Sequence, residues 1–121
     1  MNDSFDEREK LYRAVIPDGM YVKEDGSITS AAFKSRNGCS VYRGENRSDE
    51  QAVAFLKDCG RIGSIYSIFV KNCTEKEIFV NYEPVPGNPF HTALYRSSEL
   101  VPMSSGQCKH LSKVAVLVTV S

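Results

Sequence analysis

With 121 residues, fifteen basic side chains balancing fifteen acidic ones and 41% apolar residues, the chain has the size of one ordinary domain and can fold around a core. That composition excludes a disordered polymer, and zero net charge excludes a long-range field drawing the whole molecule to phosphate backbones. The apolar stretch at 114–120 is far shorter than the ~20 residues a membrane-spanning helix needs, so no membrane association is expected.

Residues 1–10 are polar and acidic and are read as a flexible N-terminal arm, with 11–121 forming a single domain. Their composition lacks the basic start and apolar run of an export signal, so the expected location is the cytoplasm, with reduced thiols. The first strand is expected over 11–16, ended by Pro17-Asp18-Gly19, where Pro presets φ and Gly permits a positive one. Met20-Tyr21-Val22 reads as a short extension before a turn at Glu24-Asp25-Gly26, and 27–34 is too short to classify. Asn37-Gly38 marks another turn, and Cys39–Arg43 reads as a short strand.

A helix follows over 48–59. Ser48 and Gln51 have the spacing of a capping box, and Asp49 and Glu50 suit the positive helix start. Ala52, Val53, Leu56 and Cys59 form an apolar stripe widened by Phe55, with Gly60 as the stop. Residues 65–70 and 77–82 are rich in β-branched and aromatic side chains and read as strands. Pro84, Pro86, Gly87 and Pro89 stiffen a loop, and 90–96 reads as a further strand, with Phe90, Thr92 and Leu94 opposite His91, Ala93 and Tyr95. A last helix is expected from about Gly106 to Val114, capped by Ser104 or Ser105; residues 114–120 fit helix and strand periods equally, with propensity favouring strand. The fold class is α+β: a mostly antiparallel sheet of about five strands carrying the well-capped helix and the C-terminal helix.

Three segments, Asp25-Gly26-Ser27-Ile28-Thr29-Ser30-Ala31-Ala32-Phe33-Lys34, Cys39-Ser40-Val41-Tyr42 and Asn88-Pro89-Phe90-His91-Thr92-Ala93-Leu94, occur in this order. Together they resemble a group of uncharacterised small bacterial proteins with a Gly-x-Ile/Val-Ser/Thr-Ser-x-Ala-Phe segment, a Leu-Ser-Val strand and a Pro-x-x-His-Ala strand. The chain departs from that pattern at Cys39, where Leu is expected, and at Thr92, which separates His91 from Ala93. The resemblance implies a bacterial origin and a helical C-terminus; it carries no established activity and transfers no catalytic role.

Chemistry is sparse. Cys39, Cys59, Cys73 and Cys108 are widely spaced, never as Cys-x-x-Cys, so neither metal nor cofactor is expected and buried inert thiols are the default. One enzyme reading pairs Cys39 with His91 as nucleophile and base, although Cys39 enters a strand rather than the helix start that would lower its pKa. Another sets Arg13 and Ser30 or Thr29 beside Glu77 or Glu83, as in ADP-ribosyltransferases. Gathered generally, Arg13, Ser30, Lys34, Tyr42 and His91 make a possible cleft for a ligand, nucleotide or anion. The bland alternative has Thr29 and Ser30 starting a one-turn helix, Phe33 plugging the core and His91 as a hydrogen-bonded sheet histidine. His110 is expected on a polar helix face. A basic run from Lys34 through Arg36 and Arg43 to Arg47, with Tyr42 among them, is the one place for nucleic acid, and it reads better as solvated loop and strand edge. The missing catalytic set, small size and neutral charge lead to the expectation of a non-enzymatic accessory domain that binds a protein partner.

Overall fold

The computed structural model describes residues 4–61 and 63–120. In chain order these form β1 (Lys10–Val15), a one-turn 3-10 helix (Ser30–Phe33), β2 (Cys39–Arg43), α1 (Asp49–Asp58), β3 (Ser64–Phe69), α2 (Val70–Thr74), β4 (Phe79–Tyr82), β5 (His91–Tyr95), α3 (Ser105–Val114) and β6 (Val116–Leu117). The strands make one open sheet in the order β4-β5-β2-β1-β3-β6, with every neighbouring pair antiparallel. The fold is α+β as expected, with one strand more than the five anticipated.

The local signals explain the elements. Ser48 Oγ accepts from the Gln51 N–H at 3.2 Å while the Gln51 side chain accepts from the Ser48 N–H at 2.9 Å, the reciprocal cap of α1. Ser104 and Gln107 repeat that pair at α3, which settles the cap on Ser104. Gly60 takes φ +79, the left-handed conformation that ends α1. Cys59 is exposed rather than part of the buried stripe, because the chain leaves helical geometry there at φ −80, ψ 4. The expected strand at 65–70 stops at Phe69: Val70 opens α2, with the Phe69 N–H capped by Asn72 Oδ1 at 2.8 Å and Val70 and Cys73 turned into the core. Phe90 lies outside β5, its carbonyl accepting from the Arg43 N–H at 2.9 Å. After α3 the chain turns at Ala115 and pairs with β3, so the ambiguous C-terminal stretch holds both a helix and a short strand.

Strand alternation sorts the side chains into two faces. Leu11, Val15, Cys39, Val41, Tyr66, Ile68 and Leu94 face one core, closed by Ala32 and Phe33 of the 3-10 helix, Val70 and Cys73 of α2, and Cys108 and Leu111 of α3. Tyr12, Tyr42 and Ile65 face the other side, covered by Ala52, Val53 and Leu56 of α1. Burying Val53 and Leu56 contributes roughly 1.5–3 kcal/mol each, as an upper bound.

Of residues 1–10, read from the sequence as an arm, 1–3 lie outside the described residues and 4–10 are held by a buried cation. Arg43, 2% exposed, donates to both Glu9 carboxylate oxygens at 2.8 and 2.9 Å and to the Ser4 carbonyl at 2.9 Å, and lies 2.9 Å from Glu45 Oε2. Its guanidinium stacks between the rings of Phe5 and Tyr82. Among the described residues no helix is long and apolar enough to cross a membrane.

Candidate functional site

The sheet divides the residues expected to share a cleft. Arg13 points to the three-helix face, where it donates to the carbonyls of Ala32 and Ser40, each at 2.6 Å. Ser30 begins the 3-10 helix on the same side, and Lys34 follows that helix at the surface. Tyr42 and His91 are cross-strand neighbours on the opposite face, their ring centroids 6.1 Å apart. Tyr12 pairs with Tyr42 and Tyr42 with His91, so Arg13, one residue along, must point the other way. The five residues therefore do not converge into one cleft.

The same parity separates Cys39 from His91. Cys39 is buried beneath the helices, and desolvation pushes its thiol up to about 11, outweighing the opposing pull of Arg13. It cannot serve as a thiolate paired with His91. Cys73 is pushed up to about 12 by the same burial. His91 instead joins a polar network on the sheet beyond α1: Nδ1 lies 2.8 Å from the Glu83 carbonyl and Nε2 lies 3.2 Å from Ser40 Oγ. The carbonyl can only accept, so Nδ1 donates to it, and in the neutral ring Nε2 accepts from the Ser40 hydroxyl. The Glu83 carboxylate accepts from Tyr95 at 2.5 Å and from Asn81 at 2.8 Å, and it pushes the Tyr95 hydroxyl up to about 12. These groups satisfy one another, as the structural reading of His91 expects. Glu77 sits in an exposed turn at φ +56. His110 is half-buried, with Nε2 3.1 Å from the Asn72 carbonyl, rather than solvated.

The basic run also disperses. Arg43 is buried among carboxylates, whereas Arg47 stacks 3.5 Å over the Phe90 ring and donates to the carbonyls of Arg43 and Gly44. A large surface hollow of about 800 Å³ at the start of α1 holds charges of both signs. There Asp49 accepts from the Tyr12 hydroxyl at 2.6 Å and from Lys10 at 3.2 Å. Those ions neutralise one another.

A smaller cavity is charged on one side only. About 450 Å³ opens between the end of the 3-10 helix and the start of α3, lined by Lys34, Ser35, Arg36, Met103, Ser105 and Cys108. Met103, half-buried against the main core, and Cys108 give it an apolar floor. The Cys108 thiol lies 3.6 Å from the Phe33 carbonyl, and burial raises its pKa against the pull of Lys34 and Arg13. Lys34 and Arg36 stand exposed at the rim, and among the described residues neither has an ion-pair partner. The first turn of α3 carries no acidic side chain either. No family model, curated protein or solved structure matches the chain.

The sequence offers Lys34 as a cleft residue but Arg36 only in a solvated basic run, Ser105 only as an alternative helix cap and Met103 not at all, the last two about 70 residues further along. Only the place of Met103, just before the Ser104 cap where an apolar side chain often seals a helix start, offered a signal.

Proposed function

We propose that this chain is a small, cytosolic, bacterial, non-enzymatic accessory domain that binds a protein partner in the cavity between the 3-10 helix and α3. One observation carries the reading: an apolar floor of Met103 and Cys108 lies beneath two rim cations with no carboxylate among the lining residues. Its natural occupant is a short exposed segment of the partner with one aliphatic or aromatic anchor beside one or two carboxylates. The anchor would contribute roughly 1.5–3 kcal/mol by burial, and each exposed charge pair about 0.2–1 kcal/mol. Such a contact is weak by itself and suits reversible docking. The saturated hydrogen bonding of His91 and the raised thiol pKa of Cys39 support a binding role over a catalytic one.

The test is a displayed peptide library selected on the wild-type domain and counter-selected on the Lys34→Glu/Arg36→Glu variant. Enrichment of an apolar residue flanked by Asp or Glu, with at least about tenfold weaker binding to the variant, is the expected result. Peptides that bind both proteins equally, or no enrichment, would end the reading.

A further inference from the structure

The β6 edge presents a second surface of different character. Val116 is 60% exposed, Leu117 45%, and Phe69, at the end of the adjoining β3, 43%. Register shows which backbone groups face outward. Tyr66 pairs with Leu117 and Ser67 with Val116, while the Val118 N–H donates to the Ile65 carbonyl at 2.9 Å. Hydrogen-bonded and non-hydrogen-bonded pairs alternate along an antiparallel ladder, so Leu117 occupies a non-hydrogen-bonded position. Its own N–H and C=O therefore point away from β3, toward the open edge.

We infer that this edge pairs with the same edge of a second copy of the chain, antiparallel across a twofold axis at Leu117. On that axis the two Leu117 residues exchange N–H···O=C bonds in both directions, and Val116 of each copy falls opposite Val118 of the other. Residues 114–120 carry no charge, so the pairing opposes no like charges, and the exposed Val116 and Leu117 each meet an apolar side chain, the half-buried Val118 and the twin Leu117. Such a match favours an identical strand over a foreign one, which would need to be equally uncharged and apolar across the same register. The strand is short, so the dimer is weak and concentration-dependent. It leaves the α3 cavity open, because the last six residues of α3, beyond Cys108, set about 9 Å of helix between that cavity and β6. The inference therefore stands apart from the partner-binding role.

The geometry makes a register-specific test. A hydrogen-bonded antiparallel pair sets Cα atoms about 5.5 Å apart, within the roughly 4.4–6.8 Å a disulfide spans. In a Cys59→Ser background, which removes the exposed thiol, Leu117→Cys should cross-link into a dimer under mild oxidation. Val116→Cys, although more exposed, should cross-link at least about tenfold more slowly, because its Cα lies roughly 8 Å from its twin. Without oxidant, sedimentation of the wild type should rise with concentration from the 13.5 kDa of one chain toward twice that mass. Leu117→Lys, with two cations on the axis, should weaken association at least about tenfold while circular dichroism stays native. A single-chain mass at every concentration, or equal cross-linking at positions 116 and 117, would overturn the proposal. Neither result bears on peptide binding at Lys34 and Arg36, so the two readings fail separately.

Discussion

Replacing Arg43 by Met should be among the most damaging single substitutions in the molecule. The Arg43 side chain is 3% exposed and that of Glu9 9%, and two hydrogen bonds of 2.8 and 2.9 Å join their charged groups. Desolvation alone would lower the Arg43 pKa, but the hydrogen bonds and charge of Glu9, with the charge of Glu45, raise it, so the cation is secure. Methionine would fill much of the volume yet leave a nearly buried carboxylate facing apolar atoms and the Ser4 carbonyl without this donor. Breaking such a pair from one side costs about 3–5 kcal/mol. A domain of this size has about 5–15 kcal/mol in all, so the melting temperature should fall by roughly 12–20 °C. Urea unfolding followed by circular dichroism measures the loss. The double variant Arg43→Met/Glu9→Met should recover at least about 1 kcal/mol, because the orphaned charge goes with its partner. If the single variant lost less than about 1 kcal/mol, or the double variant were the worse of the two, the ion pair would not be what fastens residues 4–10 to β2.

Other outcomes follow from the same contacts. A Cβ on Gly38 would lie 2.5 Å from the Tyr95 ring, so Gly38→Ala should displace that ring and cost about 1–3 kcal/mol in urea unfolding. Ser48→Ala and Ser104→Ala should each cost about 1 kcal/mol, additively, since the two caps lie on opposite faces of the sheet. The Tyr12 hydroxyl holds the Asp49 carboxyl below its ordinary range; burial opposes it, and the hydrogen bond and charge of Lys10 add to the lowering. A depressed folded-state pKa contributes stability above the unfolded value near 3.9, and that contribution fades as pH falls through the folded value. Asp49→Asn should therefore be less stable than wild type at pH 6, with the gap narrowing below about pH 4. With a thiol reagent at pH 8, Cys59 should react at once and Cys39 and Cys73 only on unfolding; fast reaction of either would contradict their burial.

What the residues determined by themselves is what depends on near neighbours in the chain. The Ser48–Gln51 cap and the stripe of Ala52, Val53 and Leu56 specify α1, because a cap and a 3.6-residue period are local properties. Alternating β-branched and aromatic residues likewise mark β2, β3 and β5 to within a residue or two. Where a short segment had two options, tertiary contacts chose. Val70 reads as the last residue of a strand by its β-branched side chain, yet the Val70 and Lys71 N–H groups donate to the carbonyls of Glu9 and Glu7, and burial of Val70 and Cys73 makes the segment a helix. The sites depended on tertiary structure still more. Adjacent strand residues face opposite ways, so the register of β1 on β2 sent Arg13 to one face while Tyr42 and His91 went to the other. Only the folding of α3 onto the 3-10 helix set Met103 beneath Lys34 and Arg36, a meeting of distant segments that no spacing in the sequence could disclose.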